Sequence, residues 1–175
     1  ESALLSNGHH ETFNGNGDVK YSLTATLPTN VTEGNVLTVS YYDTYDNWGA
    51  LAYANTYGIA NETNLKGYST GGRTRILNPD GSYGNFLIHT LYYDANYRPI
   101  QAVKQLFGFA GNGNKLRTST KYKYDVDTVV EREQEEQETD GATLKIEKVY
   151  SYDHADRMLS VSHQIWRDNV AKPQV

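Results

Sequence analysis

A Tyr-Asp dipeptide recurs along this chain, and its spacing constrains the fold more than any other feature of the sequence. From Tyr93 onward the copies begin 31 and then 28 residues apart, a regularity that chance explains poorly. A regular period indicates a repeated structural unit, so the architecture is inferred from the period first. The five copies are Tyr42-Asp43, Tyr45-Asp46, Tyr93-Asp94, Tyr124-Asp125 and Tyr152-Asp153.

Two of these copies extend into a longer pattern that is typical of a β-hairpin turn. Three residues separate Asp153 from Arg157, and the copy at Asp94 has the same spacing. We expect the aspartate to accept hydrogen bonds from backbone N–H groups two residues on, and the arginine to lie across from it or over a tyrosine ring. The copy at Tyr124 is degenerate, because Val129 occupies the arginine position. The residues assigned to the structural repeat are Tyr93, Asp94, Arg98, Tyr124, Asp125, Tyr152, Asp153 and Arg157.

The segments between the turns have the patterns of strands. Leu144, Ile146 and Tyr150 lie at alternate positions, the period of a strand with one buried face. Residues 36–42 and 86–93 have the composition of strands, and turn signals rich in Asn and Gly separate the segments. These observations predict an all-β fold of antiparallel hairpins that form a twisted or curved sheet, or a sandwich. The turn signals lie at residues 14–17, 78–81, 111–114 and 140–141.

Other segments depart from this pattern. We expect residues 49–72 to form a loop that crosses the sheet, with one helical turn at 50–54. Residues 131–140 contain five glutamates and end at Asp140-Gly141, which favours a hairpin projecting into water over a solvated helix. Residues 22–27 alternate like a strand, although the first 35 residues contain no Tyr-Asp copy. We therefore expect an N-terminal strand segment, or the remnant of a preceding domain, over residues 1–35 and a repeat β domain over 36–175.

The repeat resembles the YD repeats of the Rhs (rearrangement hotspot) and teneurin type. Residues 152–159 look like the family's Tyr-Asp-x-x-Gly-Arg-Leu motif, with Asp156 in the place of the usual glycine. Residues 70–77 resemble the versions found in long surface or secreted proteins of Bacteroidetes. The resemblance covers roughly residues 36–167.

In that family the repeats pair into a long β-sheet that coils into a hollow shell. The resemblance therefore implies a structural segment of a bacterial cell-surface or secreted protein, which forms part of a sheet or shell that displays or encloses a partner segment. The autoproteolytic core of some members is not recognisable in this sequence. We expect the rest of a parent chain, or a second copy, to cover the sheet edges. Because the sequence begins with Glu1 rather than methionine, we expect a piece of a longer protein or a mature chain.

Composition excludes several classes of function. Sixteen basic and 21 acidic residues give a net charge of -5, the wrong sign for a protein that binds nucleic acid by neutralising phosphates. Hydrophobic residues make up 38 % of the chain, and no segment approaches the about 20 apolar residues of a membrane-spanning helix. Cysteine is absent, so the chain has no disulfide, thiolate metal site or cysteine nucleophile.

The sequence predicts neither an enzyme nor a cofactor. Its histidines lack the helical spacing of a zinc protease. Residues 14–18 place oxygen-bearing side chains at alternate positions, as calcium loops do, but lack the glutamate that completes such a loop, so a plain turn is favoured. The five histidines are His9, His10, His89, His154 and His163.

A carbohydrate-binding module is the alternative function, with a glycan as the partner. Amphipathic aromatic rings suit a ligand that is apolar on one side and hydrated on the other. Inward-facing rings at the repeat tyrosines favour a scaffold, whereas a coplanar exposed row favours a ligand platform. The candidate ligand-binding residues are Tyr41, Tyr42, Tyr45 and Trp48.

Overall fold

A computed structural model describes residues 11–26, 30–108, 114–125 and 127–173. Within these ranges nine strands form one antiparallel sheet in which each strand pairs with the next one along the chain. A 3-10 turn at Glu33–Asn35 precedes the first strand. The strands are β1 (Thr38–Asp43), β2 (Leu65–Leu77), β3 (Tyr83–Tyr93), β4 (Pro99–Gln105), β5 (Lys115–Tyr122), β6 (Val130–Thr139), β7 (Ala142–Tyr152), β8 (Met158–Arg167) and β9 (Val170–Ala171).

The all-β prediction of antiparallel hairpins is confirmed. Of the two expected arrangements, the single sheet is the one that forms, because every named strand belongs to it and β1 does not pair with β9. Bulges interrupt the ends of β3, β5 and β7, where they increase the local twist of the sheet. Among the described residues, no helix has the length and hydrophobicity needed to cross a bilayer.

The order of the strands brings the predicted turns together. In a sheet of consecutive antiparallel strands every second connection lies on the same side. Residues 94–98, 123–129 and 153–157 connect β3 to β4, β5 to β6 and β7 to β8, so all three lie side by side at one end of the sheet. We call them the first, middle and last repeat turns.

Residues 44–64, which we call the crossing segment, lie across one face of this sheet. The backbone N–H of Leu51 donates to Thr90 Oγ1 on β3 over 2.9 Å. Farther along, the Thr56 hydroxyl lies 3.1 Å from the Ser119 hydroxyl on β5, and the segment returns where Glu62 N donates to a β3 carbonyl. The predicted loop that crosses the sheet is confirmed for residues 49–64, but it is wrong for residues 65–72, which pair with β1 and β3 as part of β2. The expected helical turn at 50–54 is wrong, because the Ala54 N–H, which would bond the Ala50 carbonyl in such a turn, donates to Gln101 Oε1 on β4 instead.

A small apolar core lies between the crossing segment and the sheet. Tyr92, Ile100 and Val103 are buried there. Burial of these side chains against the segment supplies the hydrophobic stabilisation that a single open sheet lacks. The half-buried residues packed against them are Tyr45, Leu51, Tyr53, Ile59 and Tyr122.

The described part of the N-terminal region packs against the start of the sheet. Phe13 and Tyr21 form an isolated bridge, and the Tyr41 hydroxyl on β1 donates to the buried Val19 carbonyl over 2.9 Å. Residues 22–26 do not form the expected strand, because the Glu11 carboxylate accepts the N–H groups of Thr24 and Ala25 that a strand partner needs. Residue 27 of that prediction lies outside the described residues.

The glutamate-rich segment forms β6 in the interior of the sheet. It pairs with β5 on one side and β7 on the other, so the hairpin at Asp140-Gly141 is confirmed but its projection into water is wrong. Cross-strand ion pairs compensate the charge, as with Lys115 and Glu138 at 3.0 Å and Arg117 and Glu136 at 2.9 Å. Opposite charges on neighbouring strands stabilise such pairing.

Candidate functional site

The repeat turns hold the most connected polar groups of the described chain. In the first turn the Asp94 Oδ1 accepts the backbone N–H groups of Asn96 and Arg98, both over 2.9 Å. Its Oδ2 accepts Arg98 Nε over 2.7 Å and lies 2.6 Å from Nη2. One carboxylate thus fixes both the turn backbone and the arginine that closes it.

The last repeat turn has the same set of bonds. Asp153 Oδ1 accepts the backbone N–H groups of Ala155 and Arg157 over 2.9 and 3.0 Å. Its Oδ2 accepts Arg157 Nε and lies near Nη2, each over 2.7 Å. The hydrogen bonds from the backbone N–H and the guanidinium of Arg157 lower the pKa of Asp153 below its ordinary value.

A residue with positive φ precedes the arginine in both turns. Tyr97 has a φ of 60° and Asp156 a φ of 53°. Both occupy the left-handed region that favours glycine. This backbone geometry gives a physical reason for a glycine at this position of the motif that the sequence resembles.

The middle turn is aligned differently in the structure than in the sequence. Tyr122 follows a bulge and pairs with the first residue of β6, as Tyr93 and Tyr152 pair with the first residues of β4 and β8. The backbone bond that closes the middle turn runs from Lys123 N to Val129 O. Tyr122 and Lys123, rather than Tyr124 and Asp125, therefore stand at the repeat position, and the repeat tyrosines are 29 and 30 residues apart.

The middle turn is longer and uses another carboxylate. Asp127 Oδ1 accepts the N–H of Val129 over 3.0 Å, the role that Asp94 has in the first turn. The Asp125 carbonyl, rather than its side chain, is used, because it accepts a hydrogen bond from Asn96 Nδ2. The middle turn is two residues longer than the first. Its Tyr-Asp dipeptide, Tyr124-Asp125, therefore lies inside the turn, and the sequence pattern assigned the repeat to it instead of to Tyr122.

Each repeat tyrosine donates its hydroxyl to a carbonyl of the preceding strand. Tyr122 donates to Pro99 O over 2.9 Å, and Tyr152 donates to Val130 O over 2.6 Å. Pro99 and Val130 are both the first residues after a repeat turn. Tyr93 makes the corresponding bond to β2, where it donates to Ser69 O over 2.8 Å. The tyrosines thus link each hairpin to the one before it.

The first turn also binds the middle turn through its arginine. Arg98 Nη1 donates to the carbonyls of Tyr124 and Asp127 over 2.6 and 2.5 Å. The guanidinium carbon of Arg98 lies 4.5 Å from the centre of the Tyr122 ring, so one cation contacts the backbone and the tyrosine of the next repeat together.

A lysine takes this role between the middle and last turns. The repeat position of arginine holds Val129 here, but Lys123 Nζ lies 5.3 Å from the centre of the Tyr152 ring and 2.7 Å from Asp156 Oδ1. Its hydrogen bond to Asp156 raises the pKa of Lys123 and lowers that of the carboxyl. Each interface between neighbouring repeats therefore contains a cation over the tyrosine of the later repeat.

Tyr41, Tyr42 and Trp48 of the candidate ligand-binding aromatics line one cavity, but only Tyr42 among the four candidates is exposed. Trp48 is fully buried and Tyr41 is 1 % exposed, and their rings stack with centres 4.5 Å apart. Gly71 makes room for the indole, since a Cβ there would lie 2.7 Å from it. Tyr45 is half-buried with its hydroxyl on Leu91 O, and Tyr42 is 50 % exposed.

The repeat tyrosines do not form a coplanar exposed row. Tyr93 is buried, Tyr122 and Tyr152 are half-buried, and Tyr124 is exposed. An exposed stacked pair lies beside the first turn instead, where the rings of Tyr68 and Tyr97 are 4.7 Å apart. The sequence carried no signal for this pair, because the two residues belong to different hairpins.

Other candidate chemistry remains dispersed. Within the described ranges no group of three His, Cys, Asp or Glu residues is placed to hold a metal ion. Burial lowers the pKa of His89 on β3. In the Asn14 turn the side-chain oxygen accepts the N–H of Asn16 over 2.9 Å, an ordinary turn contact. His154 lies in the last repeat turn and His163 on β8, and His9 and His10 lie outside the described residues.

No family model matches the chain, and neither a curated protein nor a solved structure matches it.

Proposed function

We propose that this chain is a non-catalytic structural β module of a larger YD-repeat, Rhs-like protein. In this role its sheet is a segment of a longer sheet or shell that displays or encloses a partner segment. The observation that carries the proposal is the linkage between successive hairpins. The polar groups of the repeat turns bond other turns and strands, which is what a wall built from repeated units requires.

The sheet edges support a role within a larger assembly. From Met158 to His163 the outer edge of β8 pairs with no strand of the described chain, since β9 reaches only Trp166 and Arg167. Unpaired strand edges expose N–H and C=O groups that favour pairing with another strand. The rest of a parent chain, or a second copy, is the proposed partner, and the bacterial cell surface or secretion is the proposed location.

The crossing segment gives a second, internal argument. Side chains of three consecutive strands on one face hold an irregular piece of the chain by specific hydrogen bonds. A sheet with this face can hold an extended segment without a second sheet. Enclosure of a partner segment requires the same kind of contact.

Carbohydrate binding has less support than the structural role. The two rings that contribute most aromatic area to the proposed platform, those of Tyr41 and Trp48, are buried. The Tyr41 ring stacks on the rings of both Tyr21 and Trp48, so stacking of a ligand on Tyr41 would require one of these rings to move.

Edge pairing is tested by disulfide cross-linking in a chain that lacks cysteine. Ser162→Cys places a thiol on the exposed outer strand β8, and Ser82→Cys places one in the exposed β2–β3 turn as a matched control. Under mild oxidation we expect disulfide-linked dimers to form at least about tenfold faster at position 162, because antiparallel pairing of two β8 edges holds the thiols close together. Equal rates at the two positions, with a monomer in sedimentation at all concentrations, would contradict the proposal.

A further inference from the structure

The last repeat turn carries the same aspartate and arginine as the first, but its arginine binds no later turn in the part of the chain that the structure describes. The Arg157 side chain is 76 % exposed, whereas that of Arg98 is 15 % exposed. Arg157 contacts only Asp153 and the turn backbone within the described residues, and its Nη1 has no counterpart to the two carbonyls that Arg98 Nη1 binds.

Among the described residues, the carbonyl of the first residue after the last turn, Met158, also accepts no tyrosine hydroxyl. Pro99 and Val130 follow the first and middle turns, and each accepts a tyrosine hydroxyl from the next odd-numbered strand. Met158 occupies the same position after the last turn, and no side chain of the described residues donates to its carbonyl. The adjoining edge of β8, from Met158 to His163, pairs with no strand among the described residues.

We infer that Arg157, the Met158 carbonyl and the β8 edge form a docking site for a β-strand that ends in tyrosine at a turn. The incoming tyrosine ring lies under the Arg157 guanidinium, and its hydroxyl donates to Met158 O. Two carbonyls of the incoming turn accept Arg157 Nη1. The strand itself adds to β8 in antiparallel orientation.

The contacts between the first and middle repeat turns indicate which kind of strand binds this docking site. There β5 supplies the tyrosine and the antiparallel pairing, the middle turn that follows it supplies the carbonyls, and all three contact the hairpin that Arg98 closes. The interface between the middle and last turns keeps the tyrosine bond and the cation over the ring, with Lys123 in place of arginine. The docking site continues this established interface by one strand. This inference rests on the proposed structural function, and it specifies the partner at the β8 edge as a strand that ends in tyrosine at a turn.

The register of the sheet provides a direct test. If the pairing of β8 and β9 is continued, a segment fused after Val175 begins opposite Val161. In a fused copy of residues 118–129, the first residue, which is the copy of Thr118, then lies opposite Val161. Thr118 itself lies opposite Ala102 in the β4–β5 pair. The full chain with this fusion is compared with the same chain carrying a scrambled fusion of equal composition.

The readout is hydrogen exchange of the β8 amides between Met158 and His163. We expect the copied segment to slow their exchange by at least about tenfold relative to the scrambled one, because strand addition protects edge N–H groups. Replacement of the fused copy of Tyr122 by phenylalanine, or Arg157→Ala, should remove most of this protection. Arg167→Ala, at the other end of β8, should leave it unchanged.

Each outcome separates the docking site from the wider proposal. Protection that persists in both the Arg157→Ala and the tyrosine-to-phenylalanine variants would overturn the docking site, while edge pairing and the structural function would stand. Absence of protection with the copied segment would also overturn the docking site, and the Ser162→Cys cross-linking would then decide the structural function by itself. The phenylalanine replacement leaves the folded chain unaltered, so the test does not depend on how Arg157→Ala affects the last turn.

Discussion

Asp94 and Asp153 make the same bonds in different surroundings, and the difference determines what each contributes to stability. The Asp94 side chain is 7 % exposed and its arginine partner is held between two turns. Asp153 pairs with an arginine that extends into solvent. Removal of the Asp94 acceptor leaves N–H groups and a held guanidinium without a partner, whereas water can solvate the 76 % exposed Arg157 guanidinium when Asp153, itself 15 % exposed, is removed.

We therefore expect Asp94→Ala to reduce the free energy of unfolding by about 2–3 kcal/mol. Asp153→Ala removes an identical set of bonds and should cost clearly less. Urea unfolding of the two variants beside the unaltered chain measures the difference. Asp94→Asn separates the contribution of the backbone hydrogen bonds from that of the ion pair, since the amide oxygen still accepts the backbone N–H groups but the side chain has no charge. Equal losses for the two alanine variants would show that the local turn, not its burial, carries the energy.

At the scale of the elements, the sequence predicted what local patterns encode. The spacing from Asp153 to Arg157 is local, so the turn, its carboxylate and its arginine followed from it. The equivalence of Tyr122 with the other repeat tyrosines did not follow, because two extra residues in the turn displaced the Tyr-Asp dipeptide. The anchors of the crossing segment were also missed, since Gln101 lies 47 residues from its partner Ala54.

The Gln101 side chain is the central anchor of the crossing segment. Its Oε1 accepts Ala54 N over 2.9 Å, and its Nε2 donates to Ala54 O and to Ser119 Oγ over 2.8 and 2.9 Å. The residue is 3 % exposed, so water does not readily replace these bonds. A single amide thus satisfies both backbone groups of one residue in an otherwise irregular segment.

Gln101→Ala is expected to release the middle of the crossing segment. The free energy of unfolding should fall by about 2–4 kcal/mol, because the Ala54 N–H loses its acceptor and the Ser119 hydroxyl loses a donor, while the Ala54 C=O keeps only its bonds from Thr56. Chymotrypsin should then cleave near Tyr53 and Tyr57 at least about tenfold faster. Gln137→Ala on β6 is the matched control and should change neither quantity. Unaltered cleavage in the Gln101 variant would mean that apolar packing alone holds the segment.

For the whole molecule, a small apolar core implies that tyrosines contribute much of the stability. The chain has 15 tyrosines, and several bond backbone carbonyls while their rings fill space. Burial raises the pKa of Tyr92 to about 12 and also raises the pKa of Tyr45 and Tyr57. Such hydroxyls must stay protonated in the folded chain, so the whole sheet becomes sensitive to alkaline pH.

Alkaline pH should unfold the chain in a defined window. Tyrosine in an unfolded chain has a pKa of about 10, so the contribution of Tyr92 is complete below about pH 10 and is lost as pH rises toward about 12. Urea unfolding between pH 8 and 11 should give a free energy of unfolding that falls with pH. Tyr92→Phe should lower stability at pH 8 but reduce its dependence on pH, because one titrating group is removed. Tyr83→Phe, at a side chain that is exposed, should leave that dependence unchanged. An equal dependence on pH in the unaltered chain and in Tyr92→Phe would show that protonation of this buried hydroxyl does not contribute to the alkaline unfolding of the sheet.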